Sequence, residues 1–165
     1  MSNSMGLEKF CAGYADKLSG VLSSSDWSGV SQLGKDMHEC WLAGRQVFFC
    51  GNGGSAGNAI HLANDFLYGI AKRTGAGLKV QALSANPAVM TCLANDVGYD
   101  YIYSEQLAVL AESGDLLVVL SGSGNSPNIL RVLEQAKTMG VKSCAILGYS
   151  GGACKSLADF SIHFP

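Results

Sequence analysis

The chain has 165 residues, 48% of them hydrophobic and 15% charged, enough apolar material for one buried core and too little charge for a disordered segment. A formal net charge of −2 and a pI near 5.8 give no electrostatic footprint for nucleic acid, and no lysine or arginine run offers an anionic membrane a target. No apolar stretch approaches the roughly 20 residues that span a bilayer. The start, MSNSMGLEKF, has no basic segment leading into an apolar run, so a cytoplasmic protein without a leader or membrane partner is expected.

In chain order, helices are expected near 5–23 and 28–43, followed by the first strand, QVFFC at 46–50. A helix over 54–70 follows, then a glycine-bearing loop, KRTGAG at 72–77, and a second strand, KVQAL at 79–83. Helices near 86–95 and 99–112 lead to the third strand, DLLVVLS at 115–121. A helix over 126–139, the strand KSCAIL at 142–147, a short helix over 151–158 and the strand FSIHF at 160–164 complete the pattern. The strands are continuous apolar runs rather than strict alternations, as in strands covered on both faces. Strand–helix alternation with short connections predicts one α/β domain over 1–165 built on a parallel sheet, with residues 1–45 as preceding helices and 46–165 as sheet and crossovers.

Six cysteines stand at 11, 40, 50, 92, 144 and 154, none in a CxxC pair, and several lie in apolar runs. They read as reduced, buried small hydrophobes. Cys50 borders a glycine turn but has no neighbouring histidine or lysine in sequence to lower its pKa, so it does not read as a nucleophile.

Two loops carry the chemistry: GNGGS at 51–55 follows VFFC, and SGSGNSPN at 121–128 follows LLVVL. Both join a strand to a helix, where glycines admit a ligand to the backbone and N–H groups with the helix dipole favour an anion. The hydroxyls of Ser121, Ser123 and Ser126 add donors, and Ser126-Pro127 fits a helix N-cap with proline at N1. Serine and glycine also make ordinary turns, but two such loops at two strand ends favour a ligand. Neither loop contains lysine or arginine, which suits a phosphomonoester better than a triphosphate with its magnesium. Gly51-x-Gly53-x-x-Ala56 formally matches the dinucleotide fingerprint, yet the second strand ends QALSANP without the acid that would hold a ribose. There is no GxxxxGK[ST] either, so no nucleotide cofactor is expected.

In a helix over 54–70, His61 and Asp65 share one face. Spacing alone leaves three readings: a surface pair, an acid/base pair, or two ligands of a metal site. His38 and His163 fall in an early helix and the last strand and are not recruited; His163 reads as a structural strand residue.

Together, GNGGSAGNAIHLANDF, LANDVGYDYIYSEQL at 93–107 and LSGSGNSPNILRVLEQAKTMG at 120–140 resemble the SIS (sugar isomerase) domain family, within it the phosphoheptose isomerase subgroup. The resemblance covers nearly the whole chain. It implies a flavodoxin-like three-layer sandwich with a five-stranded parallel sheet, assembled as a homotetramer with sugar-phosphate sites at subunit interfaces. It implies that Asn52, Gly53 and Gly54 contact substrate, with Ser55 nearby, that Asn95 and Asp96 line the site, and that Ser121, Gly122, Ser123 and Ser126 cradle the phosphate. The implied reaction is aldose–ketose isomerisation of sedoheptulose 7-phosphate to D-glycero-D-manno-heptose 7-phosphate, for lipopolysaccharide or surface-glycan heptose. Asp65 and His61 would be its catalytic residues and two ligands of a zinc ion.

Three departures stand out. Position 65 looks like a glutamate in the family and is Asp65 here, one methylene shorter, and a misplacement of about 1 Å can cost on the order of a hundredfold in rate. The family commonly has STSGNS where this chain has Gly122 in place of the threonine. The resemblance also implies a C-terminal helix bearing a glutamine and a histidine, and the chain ends at Pro165. These leave an alternative: a non-catalytic SIS-domain protein that binds sugar phosphate or associates with a replication initiator.

Overall fold

The computed structural model describes residues 2–165, with side chains from Gly6 onward; Met1, the expected first residue of the domain, lies outside it. Five strands form one parallel sheet in the order β2-β1-β3-β4-β5: β1 Gln46–Gly51, β2 Lys79–Ala82, β3 Leu116–Ser121, β4 Lys142–Leu147 and β5 Phe160–His163. The helices are α1 Ser2–Ser24, α2 Ser28–Ala43, α3 Gly54–Asn64, α4 Ile70–Thr74, α5 Pro87–Asp96, α6 Ser104–Leu110, α7 Pro127–Met139 and α8 Cys154–Leu157.

The strands read as unbroken apolar runs because both faces are covered. On one face Val47, Phe49, Leu116, Val118 and Cys144 pack with Met37 and Cys40 of α2 and Ala59 of α3. On the other, Phe48, Cys50, Leu117, Val119 and Ala145 pack with Leu107 of α6 and Ile129, Val132 and Leu133 of α7. Alternate residues of one strand thus feed two cores, the three-layer arrangement expected for a doubly covered sheet.

Local chemistry sets the helix limits. Asn86 caps α5 by accepting hydrogen bonds from the N–H groups of Ala88 and Val89 at 3.1 and 3.2 Å, with Pro87 in the first turn. Three expected boundaries differ. The helix over 54–70 runs on through a π-helical turn, Asp65–Gly69, into α4, so Lys72, Arg73 and Thr74 are helical and the loop begins only at Gly75. There the left-handed Gly75 closes the helix with its N–H on the carbonyl of Ala71 at 2.8 Å. The helix over 99–112 divides into a 3₁₀ turn, Tyr99–Tyr101, and α6. Asp115, buried just before β3, ends this segment by accepting from the N–H of Glu112 and from that of Gln46, both at 2.9 Å. The helix over 151–158 shrinks to α8, because Gly151 and Gly152 take positive φ values of 82° and 56° and cannot begin it.

Four of the six cysteines are buried thiols as expected; Cys11 and Cys92 stand exposed on helix surfaces. Burial pushes the thiols of Cys50, Cys144 and Cys154 up, to about 12 at Cys144 and about 11 at Cys154. Cys50 therefore stays protonated, consistent with its reading as core.

Leu117 sits fully buried in the middle of β3. Leu117→Ala is expected to lower stability by about 3–4 kcal/mol, seen as a reduced urea midpoint with an unchanged m-value.

Candidate functional site

In the order 2-1-3-4-5 the chain reverses direction across the sheet between β1 and β3, and ligands of open parallel sheets bind beyond the carboxyl ends of strands at such a point. Cys50 pairs with Val119 and Gly51 with Leu120, so the GNGGS and SGSGNS loops leave the sheet side by side. The two sequence-predicted loops are brought together by this pairing.

Side chains lock the junction. Asn52 and Asn128 exchange amide hydrogen bonds, Asn128 Nδ2 donating to Asn52 Oδ1 at 2.8 Å and Asn52 Nδ2 donating to Asn128 Oδ1 at 2.9 Å. Asn128 is 1% exposed, so its amide has little water to compete for it. Tyr103 donates its hydroxyl to the carbonyl of Gly51 at 2.5 Å and lies 3.5 Å from Asn52 Oδ1, while the Tyr99 hydroxyl approaches the same oxygen at 3.4 Å. Burial beside Cys50 pushes the Tyr103 phenol above its ordinary range, keeping it a hydrogen-bond donor. Gly51 cannot be replaced here: a Cβ would meet Ser55 Cβ at 2.7 Å and the Leu120 carbonyl at 2.8 Å.

The second loop is held from its far side. Ser121 Oγ accepts from the N–H of Gly124 at 3.1 Å, and Ser123 Oγ from that of Asn125 at 3.3 Å. Asn125 Oδ1 accepts from the N–H of Ala153, and the Gly124 carbonyl from that of Cys154, both at 2.9 Å. Gly124, at φ 65°, lies against the Gly151 backbone where no Cβ would fit. Ser126 takes the N-cap position with Pro127 after it, but its side chain makes no capping bond, which leaves the hydroxyl free for a ligand. Ser55 is the second residue of α3, its N–H on the carbonyl of Asn52 at 3.0 Å, after Gly53 turns the chain at φ 56°.

His61 and Asp65 do meet: Nε2 and Oδ2 are 3.3 Å apart, both side chains exposed. Asp65 opens the π-helical turn. Zinc-type donors are therefore paired on one face, although among the described residues no group of three or more His, Cys, Asp or Glu side chains converges. Asn95 and Asp96, at the end of α5, bond to one another and to Cys92 rather than to either loop: Asn95 Nδ2 donates to Asp96 Oδ1 at 2.7 Å and Cys92 Sγ to Asp96 Oδ2 at 3.4 Å. These donors hold the Asp96 carboxyl below its usual range. The segment that carries them touches the site through Tyr99. Asn128, Tyr99 and Tyr103 stand in no local motif that marks them as site residues; the one visible signal is the asparagine directly after Ser126-Pro127.

The model of the SIS domain matches residues 9–148. The chain belongs to the SIS-domain family. This SIS domain is similar to the phosphoheptose isomerase of Akkermansia muciniphila, 38% identical over 153 residues that span 93% of this chain and 79% of that one. It is 42% identical to the phosphoheptose isomerase of Rhodospirillum rubrum over 123 residues, 74% of this chain and 65% of the relative. The solved structure of a phosphoheptose isomerase from Francisella tularensis superposes with a TM-score of 0.87 at 28% identity, covering 97% of this chain and 86% of that one.

Tyr103→Phe removes the donor to a buried carbonyl and the support of Asn52. It is expected to lower stability by about 1–2 kcal/mol, measured by urea denaturation, with the fold unchanged by circular dichroism.

Proposed function

We propose that the protein is a phosphoheptose isomerase, interconverting sedoheptulose 7-phosphate and D-glycero-D-manno-heptose 7-phosphate to supply heptose for lipopolysaccharide or surface glycan. One observation carries the reading beyond the likeness to its relatives. Helix α3 starts at the GNGGS turn and, about two turns later, presents His61 beside Asp65. Ligand turn and acid/base pair are thus on one rigid element.

The phosphate would be held by backbone N–H groups and hydroxyls of Ser121, Ser123 and Ser126, and the sugar chain would run toward Asn52, Gly53, Gly54 and Ser55. Asp65 takes the proton from C1, next to the ketose carbonyl at C2, while His61 gives a proton to the carbonyl oxygen; a neutral 1,2-enediol results. His61 then takes the proton of the C1 hydroxyl, and Asp65 returns its proton to C2, leaving an aldehyde at C1. The same two side chains would hold a zinc ion as two donors of a four-donor set, and the ion would then supply Lewis-acid polarisation of the carbonyl in place of the His61 proton.

The proposed assembly is a homotetramer. Leu7, Phe10, Tyr14, Leu18 and Val21 are exposed at helical spacing along α1, an apolar stripe of the sort that self-association covers. Among the described residues no helix is long and apolar enough to cross a membrane, and a phosphorylated sugar substrate is consistent with work in the cytoplasm.

Purified protein should convert sedoheptulose 7-phosphate in a coupled assay. His61→Ala and Asp65→Asn are each expected to lower kcat about a hundredfold or more, with KM changed only a few-fold. Binding of the sugar phosphate without turnover would replace the enzyme reading by a non-catalytic one. In sedimentation, a Phe10→Glu, Leu18→Glu double variant is expected to shift the protein to a smaller species.

A further inference from the structure

Tyr149 stands out in the loop after β4. Among the described residues it is the one non-glycine residue with a positive φ, 46°, and it is 79% exposed. A tyrosine in left-handed backbone is strained, and such strain persists only where surrounding bonds enforce it. Those bonds are present. His163 donates from Nε2 to the Tyr149 carbonyl at 2.8 Å, and its Nδ1 accepts from Lys155 Nζ at 3.1 Å, which fixes the ring tautomer. The N–H of Gly148 bonds the Gly122 carbonyl at 3.1 Å, and the N–H of Gly151 bonds the Gly148 carbonyl at 2.9 Å, so the turn is tied to the SGSGNS loop.

The ring this geometry presents lies beside Gly122. A Cβ built on Gly122 would have Tyr149 Cε2 at 3.7 Å, an ordinary contact and its one neighbour within 4 Å. Cε2 adjoins the carbon that bears the phenol oxygen, so the hydroxyl is close to the space a longer side chain at 122 would enter. Gly122 itself carries no side-chain donor, unlike Ser121 and Ser123 on either side of it. The missing donor and the strained tyrosine occupy one flank of one loop.

We propose that Tyr149 is a phosphate-binding residue of the site, its phenol supplying the donor that Gly122 cannot, with His163 as the positioning residue that holds it. This rests on the reading of the SGSGNS loop as a phosphate cradle. A phenol hydroxyl donating to a phosphate oxygen is a charge-assisted bond, stronger than a neutral one. The tyrosine also brings the donor from a different strand end, so the cradle closes only when the β3 and β4 loops are docked on each other.

The test is the affinity of the full chain for sedoheptulose 7-phosphate by calorimetry, and for inorganic phosphate as a competitor, with turnover followed in parallel. Tyr149→Phe is expected to weaken both affinities about five- to tenfold, and Gly122→Thr added to it to restore them to within twofold. An unchanged affinity in Tyr149→Phe overturns the proposal, and if wild-type turnover is seen in the same experiment the isomerase reading survives it. A tyrosine-dependent affinity without wild-type turnover supports the proposal and removes the isomerase reading instead. Wild-type protein that binds neither ligand overturns both.

Discussion

Strands β1 and β3 lie side by side from Val47 opposite Leu116 to Gly51 opposite Leu120, and the two loops that leave them start from adjacent points on the sheet. That register decides which backbone amides face a common space, and it is enforced from both sides by burial. Phe48 and Leu117 point into one core, Phe49 and Val118 into the other, and a slip of one residue would exchange the two sets. The site thus inherits its geometry from apolar packing below it, where shape is costly to change.

Above the sheet, polar contacts take over. The Asn52–Asn128 exchange and the Tyr103 hydroxyl on the Gly51 carbonyl tie the ends of β1, α6 and α7 together within one turn of the ligand loops. The second loop is fastened to the chain after β4 through Gly122, Gly124 and Asn125. Each loop therefore leans on an element distant in sequence. A glycine-rich segment alone would be a flexible turn; held this way it is a preorganised surface of donors, whose binding contributes without an ordering cost at the moment of contact.

The fold was legible because its strands are long apolar runs set off by helix signals, and all five expected strands are present with ends shifted by a residue at most. What escaped was whatever depended on contacts across the chain. Nothing in KRTGAG says that the helix before it carries on to Thr74, since the wider turn at Asp65–Gly69 is accompanied by a tertiary bond, the Leu78 N–H on the Phe66 carbonyl. The split at Tyr99–Tyr101 likewise depends on Gly98 at φ 121° and on the seat that Tyr103 finds beneath Asn52. At the site, the 61–65 spacing already put His61 and Asp65 on one face, and the two loops were visible as glycine- and serine-rich junctions between strand and helix. Asn128 and Tyr103 were not, because a buried amide or phenol shows its partner only once the sheet order is known.

The π-helical turn at Asp65–Gly69 has a geometric corollary for the rest of α4. One extra residue in a helical turn rotates everything after it by about 100° relative to an unbroken α-helix. With it in place, Phe66 stacks on Phe49 with ring centroids 6.1 Å apart and planes within 6°, while Asp65, its immediate neighbour, remains in solvent beside His61. The turn works as a phase shifter along the rod: His61 and Asp65 stay in solvent, while Phe66 and Ile70 after them pack against the core that Met37 and Cys40 of α2 help to form. Insertions or deletions downstream of Gly69 would leave the phase at His61 untouched, so the two ends of this rod are free to diverge independently.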